Sequence, residues 1–283
     1  MAIYVGINGV PKKASTLYIG VNGIAKEVST VYCGINGEVK GAYTGLKPGM
    51  SIFTSSGIFT APKGAKELQV FCVGGGSALG WDGGGGGYTK TNNIAVNSED
   101  QINISVGNGG YRSAGGQTIV NGVVADGGTL YRTVGGYDVF TTYSGYHGGS
   151  GGGAYGSSST MMPGNGGSDG GNGGSGGFYY NGSPCYKPGG VGQGTTTRAF
   201  GESDGTLYAG GGGALNVYGS QIASGGAGGG GNGGASSYLS LWANPCNGQP
   251  NTGGGGGGSK GRDTDLSMPY TYGGSGIAII RWG

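Results

Sequence analysis

The chain has 283 residues, a formal net charge of +2, and only about a tenth of its residues charged. That balance supplies no basic footprint for nucleic acid and no acidic tail. Glycine accounts for 78 residues and tyrosine for 19, while proline has nine and histidine one. The length admits one large or two unequal domains. Met1-Ala-Ile-Tyr-Val-Gly6 lacks the basic start and apolar run of a signal peptide, so synthesis in a cytoplasm is expected. No stretch is apolar for long enough to be read as a membrane span.

Residues 1–47 form a repeat of period fourteen. Tyr4-Val-Gly-Ile-Asn-Gly9 recurs as Tyr18-Ile-Gly-Val-Asn-Gly23 and Tyr32-Cys-Gly-Ile-Asn-Gly37. Lys12, Lys26 and Lys40 share one register, and Thr16, Thr30 and Thr44 another. Asn-Gly between apolar residues is a strong hairpin signal, because a type I′ turn needs positive φ at both central positions. Each repeat therefore reads as one β-hairpin of a meander. So small a unit cannot bury a core alone, so attachment or oligomerisation is its expected role.

Pro48-Gly-Met50 marks a boundary, and residues 48–283 read as a second domain. Phe53–Pro62 contains two short strands and Glu67–Val73 a third. Asp100–Val106 alternates apolar and polar residues. Gln117–Ala125 is a hairpin around Asn121-Gly122, and Gly276–Trp282 is a closing strand. Together they predict a small antiparallel β-sandwich whose first and last strands lie near each other.

Between these strands run the glycine blocks. Gly164–Gly177 is the clearest, reading from Gly170 onward in triplets of two glycines and one other residue, and Gly225–Gly234 keeps a similar beat. A period of three fits an extended helix of the polyproline II type, which has no internal hydrogen bonds. Its amides must therefore pair with neighbouring helices. Two glycines per triplet would let such helices approach closely on several sides. The expectation is a mainly β protein with essentially no α-helix, in which stacked polyglycine II helices are inserted into the sandwich. Collagen is excluded, because glycine does not hold every third position and prolines are few.

The segments linking these blocks are Thr133–Tyr146, Tyr155–Pro163, Phe178–Pro188, Thr195–Tyr208, Tyr238–Pro250 and Lys260–Tyr272. They are rich in Tyr, Ser, Thr, Asn and Pro, the composition of adaptable binding loops on a rigid scaffold. Phe178–Tyr186 and Tyr238–Cys246 are the most aromatic. Tyr179, Tyr180, Tyr186, Tyr238 and Trp242 are the candidate ligand-binding residues. The alternative is that these rings simply cover the glycine layers. Cys185 and Cys246 share a Pro-Cys context, which leaves open a pairing or two free thiols.

Candidate chemistry is sparse. His147 is the sole histidine, and Gly145-Tyr-His-Gly-Gly-Ser150 forms no recognisable catalytic constellation. One histidine and four scattered thiols make no zinc pattern, and no cofactor is expected. Gly83-Gly-Gly-Gly-Gly-Tyr-Thr-Lys-Thr91 lacks the Gly-Lys pair of a phosphate-binding loop. The chain therefore reads as a non-enzyme.

Two resemblances add to this reading. The repeat Tyr-apolar-Gly-apolar-Asn-Gly resembles tandem units at the start of virion proteins from phages and prophages of Gram-positive bacteria. Gly57-Ile-Phe-Thr-Ala-Pro62, a strand, a glycine burst and the closing Gly273-Gly-Ser-Gly-Ile-Ala-Ile-Ile-Arg-Trp282 together resemble a glycine-rich domain of phage tail fibres and host-recognition proteins. The resemblance implies a virion location and packed polyglycine II helices whose loops touch a host receptor, glycan or protein. It also implies attachment to other virion proteins through the repeats, and a homo-oligomer such as a trimer. Neither nucleic-acid binding nor membrane insertion is expected. A capsid decoration or head-fibre protein is the alternative. An ice-binding polyglycine II protein is a third reading, but it would need a flat face of small residues, and these loops are bulky.

Overall fold

The computed structural model describes residues 4–7, 10–13, 18–21, 24–28, 30–35, 38–44, 46–130, 132–134, 137–139, 147–153, 178–180, 183–185, 197–216, 222–236, 241–259 and 268–283. The fold is mainly β, with no α-helix among these residues. In chain order the strands are β1 (Tyr4–Ile7), β2 (Val10–Lys13), β3 (Tyr18–Val21), β4 (Ile24–Glu27), β5 (Thr30–Ile35), β6 (Glu38–Thr44), β7 (Gly49–Phe53), β8 (Gly57–Thr60), β9 (Glu67–Val73) and β10 (Thr89–Ala95). They continue with β11 (Gln101–Ser105), β12 (Thr118–Val120), β13 (Val123–Ala125), β14 (Arg132–Val134), β15 (Tyr137–Val139), β16 (Phe178–Tyr180), β17 (Ser183–Cys185), β18 (Ala235–Ser236), β19 (Leu241–Ala243) and β20 (Ile277–Trp282).

The three repeats form three antiparallel pairs, β1–β2, β3–β4 and β5–β6. Ile7 faces Val10, Val21 faces Ile24 and Ile35 faces Glu38, so each connection is two residues long, as Asn-Gly requires. Among the described residues no ladder joins one hairpin to the next. Each short ladder is completed inside its own repeat.

Two four-stranded antiparallel sheets make the sandwich. One has the order β10-β9-β20-β7 and the other β13-β12-β11-β8. The last strand lies between β9 and β7, pairing Ile279 with both Phe71 and Ile52, so the chain closes where the domain began. Alternation sends Leu68, Val70, Cys72, Ala278 and Ile280 inward from one sheet. Phe59, Ile102, Ile104, Val120, Val123 and Ala125 meet them from the other. Each large apolar side chain buried here contributes about 1.5–3 kcal/mol. The Trp282 ring lies over Gly49, where a Cβ would stand 2.5 Å from the ring, and its Nε1 donates to the Lys47 carbonyl. Asn121 and Gly122 both have positive φ, 44° and 80°, as the hairpin between β12 and β13 demands.

The glycine segments grow out of these hairpins. β9 and β10 pair residue by residue up to Val73 opposite Thr89. Beyond that point the Gly74 amide donates to Tyr88 and the Ser77 amide to Gly85, so the step along the chain has become three. Between them, Gly75 donates to Gly116 and Gly76 to Gly274. Successive amides therefore point at three different neighbours and return to the first after three residues. The same rule governs 83–87. Gly83 and Gly86 donate to Gly153 and Ser150, Gly84 and Gly87 to Gly256 and Gly253, and Gly85 to the Ser77 hydroxyl. A β-ladder faces a given neighbour with a period of two, whereas a three-residue-per-turn helix without internal bonds must repeat in threes. These segments are stacked polyglycine II helices.

Neighbours run in both directions. Gly255 and Gly258 donate to Gly210 and Gly213, a parallel pair, whereas 84/256 and 87/253 advance oppositely. Glycine brings no side chain to this lattice, so apart from a small apolar cluster of Ala214, Leu215 and Met268 it rests on backbone hydrogen bonds between segments and close contact. The sandwich supplies the apolar core that glycine cannot.

Candidate recognition surface

Three glycine-bearing segments position one exposed aromatic group. Residues 107–110 leave the sheet and turn at Tyr111-Arg112, and residues 271–276 return to β20. The Gly110 amide donates to Gly76, and the Gly273 amide donates back to Gly110. A bridge pairs Tyr111 with Tyr272. The Tyr272 amide donates to the Asn247 side chain, and its carbonyl accepts from Gly248. The backbone under these side chains is thus fixed from three directions by the lattice.

The rings follow from that backbone. Tyr111 and Tyr272 stack at 4.4 Å with 23° between their planes. Tyr270 meets Tyr111 edge to face at 6.3 Å, and the Arg112 guanidinium sits 4.7 Å above the Tyr270 ring. Tyr111 and Tyr272 remain 46% and 49% exposed. Such a surface offers flat apolar faces, phenolic hydroxyls and one cation held by a cation–π contact.

Arg112 has φ of +51°, the left-handed region. For a residue with a Cβ that conformation costs about 1–2 kcal/mol. Among the described residues no carboxylate pairs with its guanidinium.

Of the residues nominated from sequence, three are described in their backbone alone. Tyr179 and Tyr180 lie on β16, paired with Pro184 and Ser183 of β17, and Trp242 lies on β19. The side chains of these three lie outside the described residues, as do Tyr186 and Tyr238 altogether. Within the segment 195–208, the part from 197 onward is no free loop. Phe200 and Tyr208 pack on Phe71 at 5.8 and 5.5 Å and, with Ala199 and Ala209, cover the outer face of the β10-β9-β20-β7 sheet. Arg281 clamps this cover, stacking over Phe200 at 4.0 Å and pairing with Glu202. Tyr111 and Arg112 escaped the sequence reading, although an aromatic and a cation at the apex between glycine runs were a usable signal.

Other reactive groups are few. Cys72 is buried in the sandwich, and burial pushes its thiol up to about 12, which makes it a poor nucleophile. Cys246 is an exposed free thiol. Among the described residues no cluster of three His, Cys, Asp or Glu side chains could hold a metal. No described helix is long and apolar enough to cross a membrane.

No curated protein matches the chain at a significant level. Residues 54–283, which hold every strand of the sandwich except β7 together with the described glycine segments, match the glycine-rich domain family, and the chain belongs to that family.

Proposed function

We propose that this chain is a non-enzymatic recognition protein of a phage or prophage virion, a tail-fibre or receptor-binding adhesin that holds a host cell-surface component. The observation that carries the proposal is the half-exposed tyrosine group standing on a hydrogen-bonded glycine lattice. A rigid platform loses little conformational entropy on binding, and tyrosine brings large contact area with two χ angles. The resemblance of the repeats and of the glycine-rich region to phage virion proteins supports the virion setting. The hairpins β1–β2, β3–β4 and β5–β6 support an attachment role, because an isolated two-stranded hairpin is marginal in water and gains from docking onto other virion proteins or other copies of itself.

The test is binding of the labelled full chain to a panel of Gram-positive strains, with and without their surface glycans stripped. Saturable, strain-restricted binding that disappears with the glycan supports a glycan-directed adhesin. Binding that survives stripping directs the search to a surface protein. No binding to any strain by folded protein refutes the adhesin reading in favour of a capsid decoration or head-fibre role.

A further inference from the structure

We propose that the face formed by Tyr111, Arg112, Tyr270 and Tyr272 takes a saccharide bearing an anionic substituent, phosphate or carboxylate. The sugar ring lies against the tyrosine faces and the anion against Arg112. The inference rests on the recognition reading above and names its ligand class and site.

Two features single out this ligand. The first is complementarity. A sugar presents C–H groups from its faces and hydroxyls at its rim, matching a ring face with a phenolic tip. Arg112 adds a fork of donors suited to phosphate or carboxylate, and no described carboxylate neutralises it.

The second feature is backbone strain at Arg112. Its φ of +51° would be free of strain for glycine, the residue used throughout the neighbouring segments. An arginine held in that conformation costs stability, and strain of this kind marks functional positions. The cation–π contact with Tyr270 offsets part of the cost and aims the guanidinium along the ring face. If Arg112 served only to brace Tyr270, removing it would lower stability and leave binding untouched. If it serves the ligand, the opposite pattern follows.

The experiment uses the full chain, wild type, Arg112→Gly and Tyr272→Ala. Each is titrated by NMR with glucose 6-phosphate, glucuronate, glucose and inorganic phosphate, then tested for binding to the strain panel. The expected result is that the two anionic sugars bind wild type about tenfold or more tightly than glucose or inorganic phosphate. Arg112→Gly should keep or raise the thermal midpoint and lose that preference. Tyr272→Ala should lose sugar binding and retain the fold. A lower midpoint for Arg112→Gly with unchanged sugar and cell binding overturns the proposal. Equal binding of glucose and the anionic sugars to wild type overturns the anion assignment. Cell binding that depends on both residues, without response to any probe, overturns the saccharide assignment. Wild type and both variants binding cells equally well removes this site and leaves the adhesin reading standing. No cell binding by wild type removes both.

Discussion

Replacing Gly255 by alanine tests whether the glycine lattice is a packed solid. The added Cβ would stand 2.0 Å from the Gly84 carbonyl oxygen, 2.5 Å from its carbon and 2.9 Å from the Gly212 nitrogen. Real Cβ atoms keep at least 3.0 Å, so the facing backbone must retreat by about 1 Å. Gly84 is held by two bonds of 2.8 Å, its amide to Gly256 and its carbonyl from Gly212. A 1 Å retreat along those bonds takes them past hydrogen-bonding range. Each buried group left unpaired costs about 1–3 kcal/mol, and overpacking adds about 1–3 kcal/mol more. The expected loss is therefore at least about 3 kcal/mol, a large share of a typical domain's stability. Gly57→Ala is the control: its Cβ meets only the Phe53 ring, at 3.8 Å, so it should be neutral or stabilise by up to about 1 kcal/mol. Gly80 has open space but φ of +63°, and alanine there should cost about 1 kcal/mol. Urea denaturation of the three variants ranks them. A loss below about 1 kcal/mol for Gly255→Ala, with cooperative unfolding intact, would refute the packed lattice.

Three further outcomes follow from the same structure. Thr118→Val preserves shape but removes a hydroxyl that donates to the Val73 carbonyl and accepts from the Gly107 amide at the root of the lattice; denaturation should show a loss of about 2–4 kcal/mol. The Cys72 thiol is held above its ordinary range, so its contribution is complete below about pH 9 and fades as pH rises toward 12. Unfolding curves should therefore lose up to about 1.4 kcal/mol per pH unit there, and Cys72→Ala should flatten that slope, with Tyr208, also raised by burial, leaving a residue of it. Glu202→Gln should cost less than about 1 kcal/mol because the ion pair with Arg281 is partly exposed; Arg281→Ala should cost more, since it also loses the Phe200 ring and the Gln69 side chain.

Much of the sandwich was legible from its apolar patterning. Gln101–Ser105 alternates apolar and polar residues, Asn121-Gly122 marks a hairpin, and Glu67–Val73 and the closing strand are apolar runs buried on both faces; all form strands. β10 was not legible. Its sequence, Thr-Lys-Thr-Asn-Asn-Ile-Ala, is polar because it is an edge strand that buries only Ile94. The triplet rhythm foretold the helix type, but Gly164–Gly177, where the rhythm is clearest, lies outside the described residues. The helices seen come from runs such as Gly83–Gly87 and Gly253–Gly258, where a homopolymer carries no phase and the choice of neighbours is invisible. The tyrosine face was hidden for a related reason. Tyr111 and Tyr272 belong to remote segments, and only the lattice makes them neighbours.

The indifference of the lattice to chain direction bears on how such a protein can change. Because a helix bonds neighbours running either way, as 255/210 and 84/256 do, the direction of a segment does not decide whether its amides find acceptors. Lengthening by whole triplets restores the same phase and adds about 9 Å of reach per triplet. Insertions of one or two residues would instead rotate every later amide away from its acceptor. The scaffold is in effect a mast graduated in units of three, on which the tips can be exchanged while the shaft keeps its rule.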